Sequence, residues 1–168
     1  MKLDLRKIIH VPGASVPFDY EMDLTHLDFY GTRPITRPVR VQGKIANRAG
    51  ALLLEGTAST ALDLTCDRCC KPFTRGKSVA LDSLLATELE NEESEDEIIL
   101  LEGDAADLDE VASTAFILAM DTINLCSEDC KGLCSRCGAD LNVGPCECKP
   151  DVDPRLAALA QLLDDKAE

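Results

Sequence analysis

The sequence predicts an α+β fold: an antiparallel, meander-rich sheet with a buried helix, a cysteine-rich lobe and a C-terminal helix. Three observations predict it. Two neighbouring runs, residues 39–47 and 51–64, alternate apolar and polar residues with period two, as half-buried strands do. Residues 107 to about 124 repeat apolar side chains at helical spacing. Nine cysteines are distributed in two groups, and the second group falls in a stretch with few large apolar side chains.

Taken in order, residues 1–34 read as short strands broken by Val11-Pro12-Gly13 and Tyr30-Gly31. Val39, Val41 and Ile45 then define one strand face, and Arg40, Gln42 and Lys44 the other. Asn47-Arg48-Ala49-Gly50 supplies turn residues. The next run returns with Leu52, Leu54, Ala58, Leu62 and Leu64 facing in, which makes a β-hairpin. Residues 73–87 read as a further strand of the same sheet. Residues 88–97, ELENEESEDE, are packed like charges that repel one another, and a solvated acidic loop is expected there. Ile98 to Leu101 suit a short buried strand.

Asp107 can cap a helix, with Glu110 three residues on. Leu108, Val111, Ala112, Ala115, Ala119 and Ile123 form its stripe, and Phe116, Ile117 and Leu118 widen it, so the helix is expected to be well buried. Near the end Asp153 caps, Pro154 takes the first turn, and Leu156, Leu159, Ala160 and Leu163 align. The expected division is a sheet domain, 1–124, and a lobe with its helix packed on it, 125–168.

The net charge of −14 hides a strong asymmetry. Residues 78–130 hold 16 acids and no Lys or Arg, whereas residues 1–77 hold 12 bases and 8 acids. A basic front and an acidic middle suggest a charged partner, or one region masking another. No apolar run approaches the roughly 18 residues that cross a membrane. The charged start, MKLDLRKIIHVPG, lacks the apolar stretch of a secretory signal. A cytoplasmic protein with no membrane partner is expected.

Disulfides are rare in a reducing compartment, so clustered cysteines there point to metal or catalysis. The first group is Cys66, Cys69 and Cys70; the second is Cys126, Cys130, Cys134, Cys137, Cys146 and Cys148. Cys66-Asp67-Arg68-Cys69 and Cys134-Ser135-Arg136-Cys137 each place two thiols where one tight turn can deliver both to an ion. Gly138 after the second pair relieves crowding as backbone amides point at sulfur. Zinc takes four such ligands in a tetrahedron. The preferred partition is two structural zinc ions. One is held by Cys66, Cys69, Cys126 and Cys130, the other by Cys134, Cys137, Cys146 and Cys148, and Cys70 is spare. A single site joining Cys66 and Cys69 to Cys134 and Cys137 is the alternative. Bound structural zinc contributes about 10–16 kcal/mol in apparent terms, which makes a zinc-binding lobe able to fold without a large apolar core.

A catalytic zinc keeps an open position, commonly with His or carboxylate ligands. The two histidines, His10 and His26, are distant from the cysteines in sequence, and neither a Gly-rich phosphate loop nor a Ser nucleophile elbow occurs. A non-enzymatic protein is expected. A thiol-redox role for Cys66 and Cys69 stays open, although it leaves the second group unexplained. Arg40, Lys44 and Arg48 share a strand face, and Arg68, Lys71 and Arg75 surround the first pair. These six are the candidates for contact with an RNA backbone; the alternative is an ordinary solvated face.

The stretch Cys126-Ser127-Glu128-Asp129-Cys130-Lys131-Gly132-Leu133-Cys134-Ser135-Arg136-Cys137-Gly138-Ala139-Asp140-Leu141-Asn142, with Cys146-Glu147-Cys148 and Asp153-Pro154-Arg155-Leu156, resembles the YceD family. So does Thr65-Cys66-Asp67-Arg68-Cys69 followed by Pro72-Phe73. The resemblance implies a role in 23S rRNA accumulation or processing and in large-subunit assembly. Its implied partners are 23S rRNA or a large ribosomal subunit precursor. An adaptor that holds a basic large-subunit ribosomal protein through residues 88–110 is the rival expectation. Cys70 departs from the pattern, since Gly there makes a fuller knuckle.

Overall fold

The computed structural model describes residues 1–86, 98–101 and 103–148. The acidic run 88–97 and the expected C-terminal helix lie outside the described residues. Among the described residues seven strands and one helix are formed in the order β1 (Lys2–Asp4), β2 (Ser15–Met22), β3 (Val39–Arg48), β4 (Ala51–Thr65), β5 (Pro72–Ala86), β6 (Ile98–Leu100), β7 (Ala105–Asp107) and α1 (Leu108–Leu118). Five strands make one sheet in the order β2-β3-β4-β5-β6, and β1 pairs with β7 in a small second sheet. The large sheet is an antiparallel meander through β5. Its last strand departs from the expected pattern: β6 runs parallel to β5, with Leu84 opposite Ile98.

Burial follows the alternation in the sequence. Val39, Val41 and Ile45 of β3 are buried, as are Leu52, Leu54, Ala58, Leu62 and Leu64 of β4. The turn between them uses two residues of positive φ, Ala49 and Gly50, as the right-handed twist of a tight hairpin favours. Asn47 does more than turn the chain. It is 1% exposed, and its Nδ2 donates to the carbonyls of Ile8 and Ile9 at 2.8 Å each. Its Oδ1 accepts from the Gly50 amide, also at 2.8 Å. One side chain therefore fixes the turn and holds the N-terminal segment over the sheet.

Helix α1 is shorter and less enclosed than its sequence pattern suggested. Asp107 caps it by accepting from the Asp109 amide, and Asp109 and Glu110 lie at the positive end of the helix dipole. Leu108, Ala112 and Phe116 form the buried face. Ile117 and Leu118 instead stand 43% and 80% exposed, because an eleven-residue helix lying on a sheet buries one stripe, not two. Among the described residues no helix is long and apolar enough to cross a membrane.

The longest pairing in the molecule positions the cysteines. β4 and β5 stay in register from Leu52 opposite Leu85 to Thr65 opposite Pro72. Their connection, residues 66–71, is the first Cys-x-x-Cys turn. Here a second, separate buried cluster forms from Cys66, Cys69 and Cys130, with Phe73 and Leu125 packed against it.

Candidate metal centres

The chain leaving α1 returns to the tip of the β4–β5 hairpin and is held there by one backbone bond and one bond to a carboxylate. The Asp67 amide donates to the Asn124 carbonyl at 2.8 Å, and the Asn124 amide donates to Asp67 Oδ2 at 2.6 Å. This brings Cys126 and Cys130 against the first turn. The Sγ atoms of Cys66 and Cys130 are 3.8 Å apart, and those of Cys69 and Cys126 are 3.6 Å apart. Cys134, Cys137, Cys146 and Cys148 make a second group; in each group all four sulfurs lie within 4.8 Å of one another. The structure thus gathers the eight residues in the two sets of the preferred partition. It places Cys66 and Cys69 in a different group from Cys134 and Cys137.

These separations test what the thiols can do. A disulfide needs an S–S distance of about 2.0 Å, and all nine cysteines are free. Four sulfurs at about 2.3 Å from one ion lie roughly 3.8 Å apart at the corners of a tetrahedron. The spacing therefore fits a four-thiolate metal, and each group could hold one ion. The first group is the more enclosed, with Cys66, Cys69 and Cys130 buried.

The two turns share one backbone design. In the first, the Cys70 amide donates to the Cys66 carbonyl at 2.9 Å; in the second, Gly138 does the same to Cys134 at 2.9 Å. Both residues adopt left-handed φ, 57° at Cys70 and 71° at Gly138. Cys70 thus occupies a position that glycine fills without a steric cost. It stays exposed and outside both groups.

Electrostatics favour a cation in each group. Amide hydrogens, that of Cys126 foremost, lower the Cys66 thiol to about 6 against the opposing effect of its desolvation. The amides of Cys137 and Arg136 lower Cys134 to about 6 in the same way. The cost falls on their neighbours. Cys126 is pushed up to about 12 by the thiols of Cys66 and Cys69 and by desolvation. Cys148 rises to about 12 beside Cys137, again with desolvation. Four thiolates do not coexist so closely without a positive charge among them.

The six cations proposed for RNA contact all have partners within the chain. Arg40 Nε and Nη2 clasp the Asp19 carboxylate at 3.0 and 2.7 Å. Lys44 lies 3.4 Å from Glu55, which also pairs with Arg48. Arg68 donates to the Cys130 carbonyl at 2.8 Å. Lys71 meets Asp140 at 2.5 Å. Arg75 donates to the Leu125 carbonyl, and its guanidinium lies 5.2 Å from the centre of the Phe73 ring. The first three stand on the outer face of β3, while the last three fasten the cysteine-rich segment to the hairpin tip. Sequence reasoning missed that fastening role, and also Asp140 and Asn142, which bind back to the first group. The Asx-type spacing Asp140-x-Asn142 was the available signal.

A family model described as "Large ribosomal RNA subunit accumulation protein YceD" matches residues 54–163. The chain belongs to the YceD family. The match begins within β4, so Arg68, Lys71, Arg75 and all nine cysteines fall inside it, and Arg40, Lys44 and Arg48 fall outside. A Zea mays member, named a chloroplastic large ribosomal RNA subunit accumulation protein YCED homolog, is 31% identical over 160 residues, 74% of this chain and 53% of its own. An uncharacterized Mycobacterium tuberculosis protein is 27% identical over 128 residues, 74% of this chain and 62% of its own. The uncharacterized Bacillus subtilis protein YlbN is 28% identical over 167 residues, 97% of this chain and 96% of its own. The chain thus spans about half the length of the maize YceD protein. No solved structure matches it.

Proposed function

We propose that this chain is a non-enzymatic ribosome-biogenesis factor, cytoplasmic, that supports 23S rRNA accumulation or processing and large-subunit assembly. In this reading two structural zinc ions organise the lobe that begins near residue 125. The observation that carries it is the gathering of eight thiols into two closed four-sulfur groups in a chain of this family. Zinc is the metal that four thiolates in a tetrahedron suit. Four protein ligands complete its coordination and leave no position for water or substrate, so the sites serve structure. The maize relative is named for large ribosomal RNA subunit accumulation, and family membership supports carrying that role over.

Backbone phosphate is the contact we infer for RNA, made by Arg40, Lys44 and Arg48 on the outer face of β3. Asp19 and Glu55 already neutralise these groups, so phosphate must displace carboxylates, and binding is weak and steeply salt-dependent. A second reading, an adaptor for a basic large-subunit ribosomal protein, is favoured by one observation. A cleft of about 690 Å³ beside α1 is lined by Glu21, Asp23, Asp107, Asp109 and Glu110.

The deciding experiment measures mature 23S relative to 16S rRNA in cells lacking the protein. We expect the ratio to fall, and to recover with the wild-type chain but not with Cys66→Ser. An unchanged ratio on deletion overturns the reading. RNase treatment of pull-downs separates RNA contact, which is lost, from direct binding of a basic protein, which survives.

A further inference from the structure

We propose that Asn142, seated by Asp140, couples the two metal centres so that filling either one tightens the other. The inference rests on the zinc reading above. Asp140 and Asn142 lie between Cys137 and Cys146 and so belong to the loop of the second centre. Beyond their bonds to each other, their side chains reach to the first. Asp140 Oδ2 meets Lys71, two residues after Cys69, at 2.5 Å. Asp140 Oδ1 accepts from the Asn142 amide at 2.9 Å and from Asn142 Nδ2 at 2.8 Å. Held in this way, Asn142 Nδ2 donates to Cys130 Sγ at 3.5 Å. Its Oδ1 accepts from the Lys131 amide at 2.7 Å, next to the same cysteine.

The consequence follows from charge. Cys130 is a thiolate when it holds a metal, and an N–H donated to an anion is stronger than one donated to a neutral group. The bond exists only while the loop that ends in Cys146 and Cys148 is in place. That loop is short of apolar contacts, so the second metal is what orders it. Ordering the second loop thus supplies a donor to a ligand of the first centre. By linkage, filling the first centre favours the second by the same factor. Hydrogen-bond partners of metal ligands are commonly worth 10–100-fold in affinity. Asn142 is a positioning residue here, acting through Cys130 and touching no metal.

The test uses the full chain, stripped of metal under reducing conditions and titrated with cobalt and with zinc. Native mass spectrometry counts chains with no, one and two ions, and the thiolate-to-cobalt absorption reports ligation. In the wild type, chains with one ion are depleted below the level for independent sites. Asn142→Asp keeps the acceptor for Lys131 but removes the donor to Cys130 and to Asp140, and Asn142→Ala, which adds no charge, must weaken the first centre as well if the lost donor is the cause. It restores independent filling and weakens the first centre about 10–100-fold. Cys134→Ser with Cys137→Ser abolishes the second centre and weakens the first to a similar degree, and adding Asn142→Asp to that pair costs little more. Independent filling in the wild type, or an Asn142→Asp variant within twofold of it, overturns the coupling while leaving the zinc reading intact. A chain that takes up neither metal with thiolate absorption overturns both.

Discussion

Replacing Gly132 with alanine tests how closely the two cysteine turns are packed. Gly132 has φ of +76°, and a Cβ there falls 2.8 Å from the Arg68 carbonyl oxygen, with the Arg68 Cβ at 3.2 Å. That carbonyl accepts the Leu133 amide at 3.0 Å, and the Gly132 carbonyl accepts the Leu141 amide at 3.0 Å. Left-handed backbone costs alanine about 1–2 kcal/mol. Relieving the clash moves Gly132 from Arg68 and loses a hydrogen bond worth about 0.5–1.5 kcal/mol net. The sum is about 1.5–3.5 kcal/mol. Gly138→Ala is the matched control, since its φ is +71° but nothing lies within 4 Å of the added Cβ. It costs only the backbone part, about 1–2 kcal/mol. Native-state hydrogen exchange at the Leu133 and Leu141 amides of the metal-loaded protein reads the difference. Gly132→Ala is expected to raise their exchange about two- to tenfold beyond Gly138→Ala, as a difference of about 0.5–1.5 kcal/mol implies. Equal exchange in the two variants refutes the claim that the second turn is seated against Arg68.

Other outcomes follow from the same structure. Asn47→Ala removes one buried and two part-buried hydrogen bonds and leaves their partners unsatisfied; the expected loss is about 3 kcal/mol in urea unfolding, with the midpoint falling at constant slope. Cys70→Gly relieves a left-handed non-glycine residue, so both ions should remain and resistance to chelator should rise by about 1 kcal/mol. The Cys66 and Cys134 thiols sit below their unfolded value; they favour the folded lobe above that value and lose this as pH falls through about 6. Lys71 and the Asn142 amide hold Asp140 at about 2, so its contribution is complete above the ordinary carboxylate value near 3.9 and fades as pH falls through about 2. Proton competition for the thiols should release zinc as pH falls, read with a dye, and Asp140→Asn, which unseats Asn142, should release it at a higher pH than the wild type.

The sheet was legible because period-two burial leaves a direct trace: Val39, Val41 and Ile45 face one way along β3, and the β4 leucines answer them in register. The division of the thiols was legible from spacing, since Cys-x-x-Cys turns carry their own geometry. Long-range features were not. Arg40 pairs with Asp19, 21 positions away, only because β2 lies beside β3 in one register. A polar strand face that looked basic in sequence is therefore largely neutralised in the fold. Asn47 read as a turn residue because its turn role is local, while its bonds to Ile8 and Ile9 depend on where the N-terminal segment crosses. The parallel pairing of β6 and the early end of α1 likewise depend on what lies beside them, which local pattern does not encode.

Two different forces organise this chain, and the boundary between them bears on how it would work. The sheet and α1 close over one apolar core, from Leu5 to Phe116, which contains no cysteine. Beyond Leu125 burial nearly ceases among the described residues: of residues 126–148 Cys130 alone has a buried side chain, while Leu133 is 37% and Val143 84% exposed. On the zinc reading order there comes from the two thiolate groups, and it enters through the tip of the β4–β5 hairpin, where Arg68 and Lys71 meet the returning chain. Loss of metal should therefore release the lobe while the sheet stays folded. A partner surface built on the lobe would follow metal supply, and one built on β3 or beside α1 would not. Where zinc dependence of 23S rRNA accumulation is found, it assigns the contact to the lobe; where it is absent, the contact belongs to the sheet.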